Sequence, residues 1–241
     1  MNKNQFAPNE FTFTLEEMII HHLIIKGFSL KEISLFNGKI GIAIAFFCYG
    51  KYTHNKTYLE LADDLIDGYL SQVDKKIGIS FASGLSGIGW AIEYLIQNNF
   101  VACNSNQACG EIDHLVVATD IRRISDVSLS SGIEGLLHYV LARIKGAISQ
   151  KNPIPFDQQY LADLHHKLQS INQESISPEF KLLMQSFDSF MNERPFNYEL
   201  NIELWIGCTD FEEKDISKAM LGLNNGLAGK LMRIAQVENL N

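Results

Sequence analysis

The side chains best able to do chemistry in this 241-residue sequence are seven histidines, four cysteines and a few carboxylates set among apolar neighbours. The histidines are His21, His22, His54, His114, His138, His165 and His166. None makes the His-x3-His spacing that puts two imidazoles on one helix face to share a metal. His138 stands inside an apolar run and reads as a hydrogen-bonded core histidine. His21-His22 and His165-His166 project from adjacent faces of amphipathic segments and read as solvated. Cys48, Cys103, Cys109 and Cys208 contain no CxxC pair, so they outline neither a disulfide framework nor a zinc knuckle. Cys103 and Cys109, in a polar stretch, read as loop thiols. Among the carboxylates, Glu93 lies within an apolar run and could face a cavity. Glu134 follows Ser131 by three residues, the spacing of a capping box. Asp63-Asp64 reads as a solvated face. A serine or cysteine nucleophile motif and a P-loop are both absent.

Composition narrows the classes further. Apolar residues make up 46% and charged residues 20%, the balance of a globular chain rather than a disordered one. The formal net charge is −8 and no basic stripe offsets it, which argues against nucleic acid as a partner. Residues 1–10 are polar and show no signal-peptide core. The most apolar run, residues 40–47, is too short to cross a bilayer, so no membrane span is expected. With unpaired cysteines, this points to a reducing cytoplasm.

The elements that must position these groups announce themselves as a repeat. Four segments align: Ser34-Leu-Phe-Asn37-Gly38-Lys-Ile-Gly41, Ser80-Phe-Ala-Ser83-Gly84-Leu-Ser-Gly87, Ser128-Leu-Ser-Ser131-Gly132-Ile-Glu-Gly135 and Gly222-Leu-Asn-Asn225-Gly226-Leu-Ala-Gly229. Each is Asn or Ser, then Gly-x-x-Gly, then an apolar run. The residues before the first glycine are 37, 83, 131 and 225, and Ser177-Pro178 supplies the skipped member. The spacings are then 46, 48, 46 and 48. Asn and Ser suit a helix N-cap, and proline suits the first helical position. Two glycines three apart share one face of the first turn. They cost about 1 kcal/mol each in propensity and remove side chains where helix ends crowd.

The runs after Gly38, Gly84 and Gly132 are apolar nearly all round, as for helices buried on every side. Between them lie one-sided helices: Tyr58, Ala62, Leu65, Ile66, Tyr69, Leu70 and Val73 keep one face apolar, as do residues 15–25 and 160–171. The alternation predicts an all-α fold, an α/α toroid with an inner ring wrapped by an outer one. The spacing leaves open whether five repeats close the ring. Only residues 197–206 alternate with period two, as a short strand or an extended connector. No low-complexity linker interrupts the series, so residues 1–241 read as one domain. The loosest stretches are 101–107, 149–155 and 192–201.

At these motifs the sequence resembles the lanthionine synthetase C-like family, whose inner helices open with repeated Gly-x-x-Gly turns. Asn37-Gly38-Lys-Ile-Gly41 and Gly84-Leu-Ser-Gly87-Ile-Gly89-Trp90 carry the likeness, together with the helix that continues through Glu93 and Leu95 to Asn99-Phe100. The resemblance implies an α/α toroid from a bacterial peptide-maturation pathway. It also implies, for well-known members, a zinc ion that carries a substrate thiolate to a dehydroamino acid. In such members the ligands come from a cysteine in a Gly-rich turn and from a Cys-His-Gly turn opening a late inner helix. Here that late turn reads Asn224-Asn225-Gly226, and Cys208 in Trp205-Ile-Gly-Cys208 is the remaining thiol. Asparagine is a poor zinc ligand. The chain therefore resembles a short, divergent member from which no metal is expected.

Its expected role is to hold a precursor peptide or a peptide-maturation enzyme. An active thioether cyclase is the alternative, and a glycosidase-like toroid, resting on fold analogy, a weaker one. The candidate binding residues are those of the rim and cavity: Gly38, Gly84, Gly87, Trp90, Glu93, Gly132, Glu134, His138, Asn224, Asn225 and Gly226. Free N–H groups at the helix starts would draw a carboxylate or an acidic peptide. Trp90, Tyr94 and Tyr139 would offer apolar contact from within.

Overall fold

The computed structural model describes residues 13–67, 77–207 and 213–237. Among these are α1 (Leu15–Ser29), α2 (Lys39–Tyr52), α3 (Lys56–Ile66), α4 (Leu85–Gln97), α5 (Ser105–Val117), α6 (Ile133–Ser149), α7 (Gln158–Gln169), α8 (Pro178–Met191) and α9 (Leu227–Val237). The described residues include no strand, and none of their helices is long and apolar enough to cross a membrane. All five predicted starts fall within two residues of a helix.

Four of these helices follow a repeated glycine, and they stand side by side in the order α9, α2, α4, α6, with α8 beyond α6. Burial follows from that position. Eleven residues of α2, from Lys39 to Gly50, and eleven of α4, from Leu85 to Leu95, are closed to solvent. In α3 only Ala62, Leu65 and Ile66 are, because α3 lies outside α2. Outside the row, α5 covers α4 and α6, while α1 covers α2 and α9. This is the inner-and-outer arrangement of an α/α toroid. The continuation of α3's apolar face, Tyr69, Leu70 and Val73, lies outside the described residues. Although it opens at Ser177 as the period requires, α8 buries one face only: Phe180, Leu183 and Phe187 are inside and Leu182 is exposed.

The starts are built differently from the expectation. Ser177 is a true N-cap, its hydroxyl accepting from Phe180 N at 3.0 Å. At the other helices the glycine itself is the cap: Gly38, Gly84 and Gly132 make no side-chain cap bond. The loop before each helix folds back over the first turn instead. The first helical N–H then donates to a carbonyl seven residues earlier: Lys39 to Glu32, Leu85 to Gly78, Ile133 to Asp126 and Leu227 to Met220, at 2.8–3.0 Å. The capping box at Ser131 and Glu134 accordingly does not form, and the Ser131 hydroxyl donates to Asp126 at 2.6 Å.

Neighbouring repeats are stitched through these same loops. Leu223 N donates to Phe36 O, Phe36 N to Ala82 O, and both Phe81 N and Ala82 N to Ser130 O. One row of backbone hydrogen bonds thus gathers four helix N-termini at one end of the molecule.

Residues 197–206 are a connector rather than a strand, since they pair with no other extended segment among the described residues. They run extended to Asn201, then turn through a short 3-10 helix, Ile202–Trp205. Tyr198, Ile202, Trp205 and Ile206 are buried while Leu204 is exposed, because the 3-10 turn breaks the period-two alternation. A further correction concerns Cys109. It lies in α5, fully buried, while Cys103 just before α5 is exposed, and neither is in a disulfide.

Candidate functional site

The inner faces of α4 and α6 carry Trp90 and His138, and the turns above them carry Phe36 and Phe81. The connector closes over this surface with two side chains. Trp205 packs edge-on against Trp90 and Phe81, with ring centroids 4.5 and 4.9 Å apart, and against His138 at 5.1 Å. Tyr198 reaches deeper: Trp90 Nε1 donates to its hydroxyl at 2.7 Å, and His138 Nδ1 lies 3.0 Å from the same oxygen. Since the indole can only donate, the phenol is left to donate to a neutral imidazole. Burial pushes the His138 pKa down to about 3, which keeps the ring neutral. His138 is therefore a hydrogen-bonded inner residue, and Trp90 faces inward as expected. Tyr94 stacks beside Trp90, with its hydroxyl 3.6 Å from Cys48 Sγ. Burial raises the Cys48 thiol to about 11, which holds it protonated.

Glu93 and Tyr139 point the other way, towards α5. The Arg143 guanidinium, fully buried, pairs through Nη1 with Glu93 and through Nη2 with Asp113 at 2.6 Å. Ser105 and Asn106 accept two further bonds, and Tyr139 donates to Asp113. Gly146 makes room for this, because a Cβ there would overlap the Glu93 carboxylate. Glu93 is thus held in an ion pair with Arg143 while also lining a cavity at the end of α4, and desolvation raises its pKa. Glu134 is half-buried near Glu179, and desolvation raises its pKa as well. Sequence reasoning misses Arg143 and Asp113; two opposite charges in apolar helices are the available signal.

The glycine rim is filled from within. A Cβ on Gly41, Gly87, Gly135 or Gly229 would overlap the carbonyl six residues earlier: Leu35, Phe81, Leu129 and Leu223 respectively. Gly38, Gly84, Gly132 and Gly226 meet backbone of the same loops. The first N–H of each helix is bonded there too, so this rim offers a ligand little of what the sequence led one to expect.

At the late turn, Asn225 adopts a left-handed conformation, φ 54°, which asparagine tolerates. Its side-chain amide donates to Asn224 Oδ1 at 2.9 Å, and its own oxygen packs where a Gly207 side chain would go. The Trp205-Ile206-Gly207 turn and the Asn224-Asn225 turn therefore meet in space. Cys208 lies outside the described residues. Two amides bonded to each other are poor donors for zinc, which prefers thiolate and imidazole. Among the described residues no three His, Cys, Asp or Glu side chains gather as a metal-holding group.

Open space lies at the opposite end, where α2, α4 and α6 finish. A cavity of about 420 Å³ is lined by Gln97, Asn98, Lys145, Gln150, Glu199 and Leu200. A second of about 410 Å³ is lined by Lys51, His54, Asn98, Phe100, Ile202 and Glu203.

No curated protein matches the chain. A family model does, described as lanthionine synthetase C-like protein, over residues 29–194. The match takes in the first three Gly-x-x-Gly helices and ends before the connector and the Asn224-Asn225 turn. With more than half of its length matched and an inner row of Gly-started helices in an outer layer, the chain belongs to the lanthionine synthetase C-like family.

Proposed function

We propose that this protein holds a precursor peptide, or the enzyme that carries one, in a bacterial lanthionine-type peptide pathway, and that it does not form thioether rings through zinc. The observation that carries this reading is the Asn224-Asn225 amide pair, found at the turn where cyclising relatives need Cys-His. Zinc-bound thiolate is the nucleophile in that chemistry, so a turn without thiolate or imidazole removes the means of activating it. Family membership supports a peptide as the ligand. The free cysteines fit a reducing cytoplasm.

A labelled peptide bearing one cysteine and one dehydroalanine tests the reading. On incubation with the protein and added zinc, its fluorescence anisotropy should rise while its free thiol persists at the protein-free rate. Cyclisation leaves the mass unchanged, so the thiol is counted by alkylation. Zinc-dependent thiol loss at catalytic protein concentrations would instead establish the cyclase alternative.

A further inference from the structure

The connector leaves part of its backbone unpaired beside the two cavities at the C-terminal ends of the inner helices. Lys145 Nζ donates to Tyr198 O at 2.6 Å, and Glu203 N donates to Asn201 Oδ1 at 3.0 Å. Between them, the backbone groups of Glu199 and Leu200 bond to nothing among the described residues. Glu199 is exposed and Leu200 half-buried, so these groups border the opening rather than the core. An extended backbone with free donors and acceptors is a template for another strand.

Across from it stand side-chain amides. Asn98 borders both cavities, and its amide is fixed by donation to Tyr94 O at 2.9 Å, which leaves its oxygen able to accept. Glu199 and Leu200 line the first cavity and Ile202 and Glu203 the second, and the two meet at Asn98 as a trench beside the connector. Asn98 also borders a third cavity of about 520 Å³, lined by Lys51, His54, Lys56 and Asp63; Lys51 and His54 line the second cavity too, beside Glu203. The cationic balance of the third cavity stands out in a chain of net charge −8. It complements a carboxylate.

We infer that the trench binds an extended peptide, which pairs through its backbone with Glu199 and Leu200 and sets an acidic residue towards Lys51 and Lys56. The inference rests on the peptide-holding function proposed above and places that peptide at the end opposite the glycine turns. Backbone pairing supplies affinity with little demand on sequence, and the lysines fix the direction of the bound strand.

The probe is a phage-displayed library of random dodecapeptides, selected on the full chain, with the enriched peptides synthesised and measured by anisotropy. Enriched sequences should carry acidic residues near one end. Glu199→Pro and Leu200→Pro each remove one N–H in a stretch whose extended backbone accepts proline. Successive N–H groups of a strand point to opposite sides, so one proline should weaken binding about tenfold and the other little. Lys51→Glu should weaken the acidic peptides as well. Melting by circular dichroism confirms folding of each variant. Hydrogen exchange on the unaltered protein, which needs no variant, should show peptide-dependent slowing at residue 199 or 200. Peptides that bind equally to both proline variants and slow exchange elsewhere would overturn the trench while leaving a peptide-holding function intact. Enrichment of no peptide would overturn both.

Discussion

The Tyr198 hydroxyl lies 3.0 Å from His138 Nδ1 while accepting from Trp90 Nε1, so one connector side chain ties together two inner helices. Phenylalanine at 198 keeps the ring and removes both bonds, leaving an indole N–H and an imidazole nitrogen buried without them. Tyr198→Phe should destabilise the fold by about 1–3 kcal/mol, read as a lower urea midpoint at unchanged slope. An unchanged midpoint would show that the connector packs without holding.

The same pair sets a pH dependence. The folded pKa of His138, about 3, lies below the ordinary histidine value of 6.5, so the unfolded chain takes up the proton first. Stability is therefore full above about pH 6.5 and falls as the pH drops towards 3, with a slope approaching about 1.4 kcal/mol per unit. His138→Phe should flatten the profile between about pH 6.5 and 5, above the range where carboxylates dominate. Parallel profiles for the two proteins would contradict the neutral, buried imidazole.

Arg143 pairs with two buried carboxylates at once, and its loss should be severe. Arg143→Met leaves Glu93 and Asp113 buried without their cation, at a cost of about 3–5 kcal/mol. The Glu93 pKa, already raised by burial, would rise further without Arg143. The variant's stability should be greatest at low pH and fall as pH rises through that value, opposite to the effect of His138. A melting temperature close to that of the unaltered protein at about pH 7 would show the triad to be solvated.

The glycines divide sharply. Alanine at Gly87 or Gly135 meets a loop carbonyl, and at Gly135 also the Phe81 side chain, so each change should cost about 1–3 kcal/mol or more. In α5, a Cβ added to Gly110 would meet nothing within 4 Å beyond the backbone of its own helix, and Gly110→Ala should stabilise by about 0.5–1 kcal/mol. Equal effects at all three sites would contradict the assignment of the repeated glycines to loop packing.

These contrasts explain what the sequence can disclose. The repeat is legible because each glycine answers a demand made by residues four to seven positions away, which recurs at the same offsets in every copy. The all-round apolar runs of α2, α4 and α6 likewise record burial directly. By contrast, α5 is hard to see because Ser105 and Asp113 are polar and still buried, and partners on another helix, Arg143 and Tyr139, make that tolerable. The connector's role is hidden for a similar reason. Nothing local to Tyr198 or Trp205 specifies that they cross to Trp90 and His138. The rim misleads because serine and asparagine before Gly-x-x-Gly look like caps, whereas the folded-back loop already supplies the carbonyls.

Everything proposed about function depends on this family member working without a zinc ion at its late inner-helix turn. The decisive quantity is the metal content of the protein purified without chelators, measured by inductively coupled plasma mass spectrometry against protein concentration. Zinc should stand far below one equivalent per chain, and brief dialysis against EDTA should remove it with no change in melting temperature. One tightly held zinc per chain, whose removal lowers the melting temperature, would contradict the proposal.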